Sequence, residues 1–505
     1  MPTSKTVRPV QASPRPGPVS NSLAASRLGM WSIIFFTVAA AAPETVVGGG
    51  AVSGFAVSGV NGIPVGYLAV AVVLGLFAVG YVTMARHVEN AGAFYAYIAK
   101  GLGRTPGTAA GGVAVLAYTM VQISLVGGFG VGAADFLRQV GGPGLPWWLF
   151  AGVGLGLVGL LGMLRIDVNG RVLGVLLLAE IAVILFYDLA FITDPAEPGV
   201  SLTTLNPAQL GTGAAGVILV IAFTGFIGFE NSTVLAEEAR DSRTVSRATY
   251  LSLFVIGGLY GLSTWALTVA TGPDQIVAKA GEHSTQLMFA LAADRLPAGL
   301  VTVGSALYVT SLFAGMLSFH HVCARYFFAL GREGIGPRAL AITSSRTSAP
   351  IAGSAAQSVL TVLVVGLFAM TGWDPVTYLF FWGASAGALG VLILVTATSL
   401  AVVGYFLRIP APGHGIWRTL LAPSMAALVL GGILVLTVRS FGTVLGVAPG
   451  DPAAWMLPGA YLVVVLGGLT WGSVLRARYP ESYERIGMGA RSVTIARSEE
   501  RMDGE

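Results

Sequence analysis

The sequence predicts an all-α polytopic membrane protein with twelve transmembrane helices, of which the first and the sixth are broken. Of its 505 residues, 54% are hydrophobic and 10% are charged, and the mean hydropathy is +0.77. A soluble domain normally has about 25% charged residues. Roughly 20 apolar residues span the hydrocarbon, and such windows occur approximately at 29–59, 64–84, 107–137, 146–164, 171–193, 213–238, 249–271, 298–329, 351–371, 375–407, 420–439 and 455–475.

The placement of Lys and Arg predicts the orientation, because loops that stay in the cytoplasm collect positive charge. With the N-terminus inside, all but four of the 28 Lys and Arg residues fall in cytoplasmic segments; the exceptions are Arg138, Lys279, Arg295 and Arg439. Both termini are therefore expected in the cytoplasm. The same rule explains the net charge of +4 without a nucleic-acid partner. The excess of Arg over Lys and the abundance of Ala, Gly and Val are typical of a GC-rich bacterial genome, which indicates the bacterial inner (plasma) membrane.

Polar segments at both ends bound a single membrane domain. Residues 1–27 are polar, basic and proline-rich and predict a cytoplasmic tail rather than a cleaved signal. Residues 28–475 hold the twelve helices. Residues 476–505 alternate Arg and Glu without an apolar period, which predicts a mostly disordered cytoplasmic tail. The single cysteine, Cys323, excludes an intrachain disulfide and a cysteine-based metal cluster.

Helix-breaking residues interrupt two of the hydrophobic segments. The first segment is broken at Ala41-Ala42-Pro43-Glu44 and at Gly48-Gly49-Gly50, and the sixth is broken between Phe223 and Gly228. Lipid cannot satisfy the N–H and C=O groups of irregular backbone, so such backbone must be buried in protein or line a cavity. A matched pair of broken helices is the best sequence indication of the substrate site of an inverted-repeat transporter.

Three sequence motifs occur next to predicted helices 3, 6 and 8. They are Asn90-Ala-Gly-Ala-Phe-Tyr-Ala-Tyr97 with Gly101-Leu-Gly103 before helix 3, Phe226-Ile-Gly-Phe-Glu230 with Glu237-Glu238-Ala-Arg-Asp241 at helix 6, and Ala324-Arg325 with Leu330-Gly-Arg-Glu-Gly334 and Pro337 after helix 8. Together they resemble motifs of the amino acid, polyamine and organocation superfamily. The resemblance covers roughly residues 28–475.

The resemblance implies two inverted five-helix repeats, about 29–193 and about 213–407, with helices 11 and 12 (about 420–475) outside them. Broken helices 1 and 6 then face each other at mid-membrane. Half-helix N-termini suit a substrate carboxylate, and unwound carbonyls suit an ammonium group. The expected substrate-binding residues are Ala41, Ala42, Pro43, Glu44, Thr45, Phe223, Thr224, Gly225, Phe226 and Gly228, with Gln122 of helix 3 lining the cavity.

The first break departs from the family pattern. Ala41-Ala42-Pro43 stands where the family has a small Gly-Ser-Gly type triplet, whereas the spacing to the Phe-Tyr-Ala-Tyr element favours Gly48 to Gly50. We prefer the register from Ala41 to Thr45, because it places Gly48-Gly49 where the family has a proline–glycine pair. Glu44 then either contacts a substrate ammonium or caps N–H groups at the start of the second half-helix.

A charged residue within the membrane is a candidate functional residue, because the burial of an unpaired carboxylate in the bilayer costs roughly 3 kcal/mol or more. Glu180 lies in helix 5, where many relatives carry a lysine near helices 1 and 8. It is predicted either to exchange a coupling proton or to be a neutral acid hydrogen-bonded to a neighbouring helix. The segment from Phe313 to Ser318 resembles one that completes a sodium site in sodium-coupled relatives, but Leu317 replaces the first of two hydroxyl residues. Proton coupling through Glu180 is therefore preferred to sodium coupling through Ser318.

These observations predict a secondary transporter that moves an amino acid or a related amine by alternating access, driven by a proton gradient or by exchange. A polyamine or organic cation permease is the alternative, followed by a transporter-like sensor, for which the C-terminal tail is too short an output domain. The sequence lacks a phosphate-binding Gly-rich loop with Lys and Ser or Thr, which disfavours ATP-driven transport. No enzyme activity, cofactor or metal is predicted. The adjacent His320 and His321 point about 100° apart on a helix and do not share an ion.

Overall fold

The computed structural model describes residues 19–20, 28–88, 90–163, 166–211, 214–409 and 413–489. Within these ranges, ten helices are long and apolar enough to cross a membrane, and two shorter apolar helices supply the fourth and sixth spans. This confirms the predicted fold class. The spans, numbered 1 to 12, are Met30–Ser58, Ile63–Ala85, Arg104–Gln139, Trp147–Gly162, Ile166–Thr193, Ala215–Gly225 with its continuation Asn231–Val234, Ser242–Thr271, Ala298–Arg332, Ile351–Thr371, Pro375–Arg408, Trp417–Arg439 and Ala453–Arg478.

Shorter elements connect the spans. The short α-helices are Ala93–Gly101, Ile276–His283, Leu287–Ala293, Phe441–Leu445 and Pro480–Arg485, and the 3-10 turns are Thr203–Leu205, Pro207–Gly211, Ala236–Glu238, Ser284–Gln286 and Arg338–Ala341. Three stretches inside the spans are wound as π-helix, namely Thr45–Ala51, Pro375–Phe381 and Trp417–Leu421. A two-residue antiparallel pair joins strands Val19–Ser20 and Thr343–Ser344.

The order of these elements shows the inverted repeat. Each repeat begins with a broken span, and a short helix precedes its third span: Ala93–Gly101 comes before span 3 and Leu287–Ala293 before span 8. Each element lies five spans before its equivalent, and because five is odd, the equivalents enter the membrane from opposite sides. We call the side on which span 1 begins the N-terminal face and the side on which span 6 begins the opposite face.

Small residues let the spans approach closely, as expected where lipid removes the hydrophobic drive for helix association. A Cβ on Gly101 would overlap the carbonyl of Ala401 in span 10, and a Cβ on Gly353 would overlap the carbonyl of Ala324 in span 8. Span 3 lies centrally and packs along spans 8, 10 and 12.

The segment after span 12 corrects one expectation. Disorder is wrong for residues 476–489, because span 12 continues to Arg478, the helix Pro480–Arg485 follows, and the Ile486 side chain is buried at 1% exposure. Residues 490–505, and residues 1–27 apart from the short strand, lie outside the described residues.

Candidate functional site

The break in span 1 lies at Ala41 to Pro43. The first half-helix ends at Ala40, and Ala42 has φ +45°, a left-handed conformation that is uncommon for a residue with a side chain. The chain then re-enters helical geometry and continues as the π-helix Thr45–Ala51, which contains Gly48 to Gly50. The break therefore coincides with the preferred register, and the glycine run widens the second half-helix.

The break in span 6 is held by Glu230. The first half-helix ends at Gly225, and Gly228 adopts φ +115° before the second half-helix Asn231–Val234. One carboxyl oxygen of Glu230 accepts the Gly228 N–H at 3.0 Å, and the other accepts the Tyr118 hydroxyl of span 3 at 2.7 Å. Glu230 thus provides a hydrogen-bond acceptor for an N–H group of the unwound backbone and connects that backbone to span 3.

The two breaks touch each other. A Cβ on Gly228 would lie 2.9 Å from the Cβ of Ala40 and 3.0 Å from the backbone N of Ala41, so this approach requires glycine. The carbonyl of Ala41 in turn accepts the hydroxyl of Tyr260 in span 7 at 2.8 Å. The unwound segments of both repeats are therefore packed together in the bundle.

A cavity lies beside this contact, and it has about 780 Å³ of empty space including its mouth. Only about 90 Å³ of this space admits the centre of a water-sized sphere, so the cavity is narrow in this structure. Five predicted residues line it: Ala41, Ala42, Thr45, Thr224 and Gly225. The other lining residues are Ala40, Val46, Gly50, Tyr67, Val121, Ser124, Leu125, Ile221, Ile227, Phe319, Phe380, Phe381, Ala384, Ser385 and Val444. Among the described residues, no Asp, Glu, Lys, Arg or His side chain contributes to the lining.

The remaining predicted residues lie outside the lining. Phe223 and Phe226 are buried in the surrounding core, where the Phe226 ring packs against the rings of Tyr67 and Tyr260 at 6.2 and 6.0 Å. Gln122 is buried on span 3, and its amide has no hydrogen-bond partner among the described residues. The other three predicted residues are Pro43, Glu44 and Gly228. Pro43 and Gly228 lie at the breaks, and Glu44 belongs to a polar cluster next to the cavity.

That polar cluster joins spans 1, 5 and 8. One carboxyl oxygen of Glu180 accepts the backbone N–H of Glu44 at 2.5 Å and the hydroxyl of Ser311 at 2.6 Å. The Ser311 oxygen also accepts the N–H of Thr45 at 3.3 Å. Both carboxyl oxygens of Glu44 are buried and have no hydrogen-bond partner in the described part of the chain. Glu180 therefore connects the break of span 1 to span 8.

Ser318 does not join this cluster. It lies two helical turns beyond Ser311, about 10 Å further along the helix axis, and lines a small cavity toward the N-terminal face with Phe36, Asn231, His321 and Arg325 among others. The hydroxyl that meets Glu180 is Ser311, which the sequence analysis missed. The seven-residue spacing, which places both serines on one helix face, was the available signal.

On the N-terminal face, a buried ion pair and backbone contacts cover the cavity. The guanidinium of Arg325 pairs with the carboxylate of Glu238 at 2.7 Å, and their side chains are 2% and 3% exposed. Leu28 donates its N–H to the carbonyl of Glu238 at 2.9 Å and accepts the N–H of Arg240 at 3.1 Å. These contacts tie the start of span 1 to the loop after span 6 and to span 8.

On the opposite face, the short helix Leu287–Ala293 covers the second half of span 1. A Cβ on Gly48 would lie 2.9 Å from the Met288 side chain, and one on Gly49 would lie 2.8 Å from the Tyr308 hydroxyl. Phe289 packs edge-on against Tyr308 with ring centroids 5.7 Å apart. The glycines therefore admit side chains that cover the cavity from this side.

Several known proteins are similar to this chain. A family model described as amino acid permease matches residues 28–469. The chain is 26% identical over 340 residues to YecA of Bacillus subtilis, described as an uncharacterized amino acid permease. That alignment covers 66% of this chain and 75% of YecA. The chain is also 26% identical over 304 residues to BcaP of Lactococcus lactis, described as a branched-chain amino acid permease. That alignment covers 56% of this chain and 64% of BcaP. A crystal structure of a manganese transporter from Eremococcus coleocola aligns with TM-score 0.47 and 12% identity over 87% of this chain and 93% of that chain.

Proposed function

The chain belongs to the amino acid permease family of the amino acid, polyamine and organocation superfamily, and from that premise we propose that it is a secondary carrier for neutral amino acids with apolar side chains. The observation that carries the substrate class is the cavity lining, which holds no Asp, Glu, Lys, Arg or His side chain among the described residues. A charged side chain on the substrate would find no side chain of opposite charge in this lining. The burial of an unpaired charge costs several kcal/mol.

The cavity offers separate places for the parts of such a substrate. Backbone at the two breaks, including Ala41, Ala42 and Gly225, lines the cavity, and we place the ammonium and carboxylate groups of the substrate beside it. The lining also includes Val121, Leu125 and Phe380, which suit an aliphatic side chain. The name of the Lactococcus relative, a branched-chain amino acid permease, fits this chemistry. A polyamine needs carboxylates at two or more ammonium groups, so the polyamine alternative is less favoured.

The two covers of the cavity support alternating access. Opening the N-terminal face requires separation of the Arg325–Glu238 pair, and opening the opposite face requires movement of the helix Leu287–Ala293. We place the N-terminal face in the cytoplasm and the chain in a bacterial cytoplasmic membrane, on the strength of the charge distribution.

Coupling is proposed to be proton-driven through Glu180, or to be amino acid exchange. Glu180 supports this because it is buried, has no Lys or Arg partner among the described residues, and touches both the break of span 1 and span 8. Sodium coupling through Ser318 is less favoured, since Ser318 lies about two turns from that cluster.

Transport by purified protein in liposomes tests this proposal. Labelled leucine, isoleucine and valine are compared with putrescine, lysine and glutamate, under an imposed pH gradient, with and without a protonophore and with sodium replaced by potassium. We expect accumulation of the three aliphatic amino acids that the protonophore abolishes and sodium replacement leaves unchanged. Preferential uptake of putrescine would establish the organic cation alternative, and binding of leucine without any uptake would establish the sensor alternative.

A further inference from the structure

Four basic side chains from two segments meet on the N-terminal face, away from the substrate cavity. Arg86 and His87 follow the end of span 2, and His414 and Arg418 lie at the start of span 11. The His87 and His414 rings are 5.4 Å apart, centroid to centroid. The Arg86 guanidinium lies 3.4 Å from the hydroxyl of Ser246 at the start of span 7. We call these four residues the basic cluster.

The basic cluster has no counter-charge within the described part of the chain. None of its four members forms an ion pair there. The carboxylate of Asp241, just before span 7, caps its own helix by accepting the Thr244 N–H at 2.7 Å. The pKa of His414 is lowered by burial and then by the charges of His87, Arg86 and Arg418. The two arginines carry positive charge and the two histidines lie beside them, so the cluster can hold an anion.

Exposed apolar side chains continue from the basic cluster along the outside of the bundle, on the two spans that pack against span 2, and we call this surface the groove. Span 2 lies between spans 7 and 11 and packs against both. Tyr250 and Phe254, one helical turn apart on span 7, are 42% and 78% exposed. Leu421 and Met425, one turn apart on span 11, are 49% and 48% exposed. The charged end of the groove therefore lies at the membrane surface, and its apolar walls run into the hydrocarbon.

We propose that this groove binds an anionic phospholipid from the leaflet on the N-terminal face, with its phosphate between Arg86 and Arg418 and an acyl chain along Phe254 and Leu421. Basic pockets between transmembrane helices are suited to anionic headgroups. The N–H groups at the start of span 11 add to the attraction for a phosphate. The groove selects a lipid over a free phosphate, because only a lipid also covers the exposed apolar side chains.

Lipid binding by the full-length purified protein tests the proposal. The probes are dioleoylphosphatidylglycerol, dioleoylphosphatidylcholine and soluble glycerol phosphate, and the readouts are lipid retention by native mass spectrometry and the thermal shift. The test variant is Arg86→Gln/Arg418→Gln. The matched control is Arg338→Gln/Arg346→Gln, which removes two exposed arginines on the same face. We expect phosphatidylglycerol to be preferred by the wild type and its affinity to fall about 25-fold in the test variant only, at roughly fivefold for each arginine.

Three outcomes would overturn the proposal. Equal retention of phosphatidylglycerol and phosphatidylcholine by the wild type would show that the cluster selects no anion. Equal loss in both double variants would show a general effect of surface charge. A thermal shift with glycerol phosphate as large as that with phosphatidylglycerol would show a free-anion site. If the test variant unfolds in phosphatidylcholine, Phe254→Ser serves as the second variant, and unchanged retention in Phe254→Ser would exclude the acyl-chain contact.

Discussion

A single carboxyl oxygen of Glu180 accepts hydrogen bonds from two spans of the bundle. One donor is the Glu44 N–H at the break of span 1, and the other is the Ser311 hydroxyl on span 8. An ionised carboxylate is the stronger acceptor, since hydrogen bonds to charged groups are worth roughly 1.5–3 kcal/mol. Protonation of Glu180 would therefore loosen this connection, which is the physical basis of the proposed coupling.

Glu180→Gln keeps the size and hydrogen-bonding capacity of the side chain but cannot titrate. We expect leucine binding and leucine exchange to persist, and accumulation driven by a pH gradient to be lost. The matched control is Asp188→Asn on the same span, whose carboxylate is also buried and accepts the Ser263 hydroxyl at 2.6 Å. If Glu180→Gln accumulates leucine with the wild-type pH dependence, Glu180 is structural, and Glu44 becomes the next residue to test.

Gly228 decides how the two breaks pack. From the sequence alone, a β-branched residue at Gly225 or Gly228 is expected to block substrate while folding survives. At Gly228 the structure indicates otherwise, because its φ is +115° and its Cβ would press on the Ala40 and Ala41 backbone. We expect Gly228→Ala to lower folding stability by about 1–3 kcal/mol. The readout is thermal unfolding in detergent.

The control for this substitution is Gly258→Ala on span 7, where an added Cβ meets no atom within 4 Å. Its melting temperature is expected to stay the same or to rise, because alanine is the better helix former. A Gly228→Ala protein as stable as the wild type would show that the breaks are less tightly packed than described.

At the scale of elements, the contacts on the N-terminal face join three segments: the start of span 1, the loop after span 6, and span 8. We call these contacts the closure. The Arg325–Glu238 pair is buried, and removal of one partner leaves the other charge uncompensated, which costs about 3–5 kcal/mol. We expect Glu238→Gln to favour the state open to this face. The readout is maleimide labelling of Ser318→Cys in a Cys323→Ala background, because Ser318 lies in the small cavity behind the pair.

Labelling of this cysteine should accelerate by about tenfold or more in Glu238→Gln. The control is Glu481→Gln on the same face, whose side chain is 78% exposed and whose ion pair with Arg485 at 3.9 Å is worth little. Equal labelling rates in the two variants would mean that the buried pair does not hold the closure.

The segment after span 12 is fastened to the N-terminal face by Glu333. This buried carboxylate accepts the Asn90 amide at 2.7 Å and the Gly489 N–H at 2.9 Å, and it also accepts the Gly487 N–H and the Tyr95 hydroxyl. Local composition could not predict this order, because the partner of residues 487–489 is more than 150 residues away in the sequence.

Glu333→Gln is expected to release this segment, since a neutral amide replaces an acceptor of charge-assisted hydrogen bonds. Amide hydrogen exchange at residues 487–489 should accelerate by about tenfold or more, from the loss of roughly 1.5–3 kcal/mol. Glu282→Gln, an exposed carboxylate on the opposite face, is the control. Exchange at the wild-type rate in Glu333→Gln would show that the helix Pro480–Arg485 holds the segment by itself.

At the scale of the whole molecule, the fold was predictable because hydropathy and the broken helices are properties of local sequence. The preferred position of the first break was also predictable, since Pro43 has no backbone N–H with which to continue a regular helix. The walls of the cavity were not predictable, because Ser124 and Phe380 belong to spans whose rotation depends on packing, and Val444 belongs to the short helix Phe441–Leu445 between two spans. The seven-residue spacing places Ser311 on the same helix face as Ser318, but its contact with Glu180 depends on how spans 5 and 8 pack together.

The central claim is that substrate occupies the cavity between the two breaks, and filling that cavity tests it most directly. Ala384 lines the cavity, whereas Leu400 lies on the same span and is 51% exposed on the outer surface. The measurement is leucine uptake into liposomes by Ala384→Phe and Leu400→Phe, with thermal unfolding without substrate as the folding check. We predict that Ala384→Phe folds but loses leucine uptake while Leu400→Phe transports normally. Wild-type leucine uptake by Ala384→Phe would contradict the placement of the substrate in this cavity.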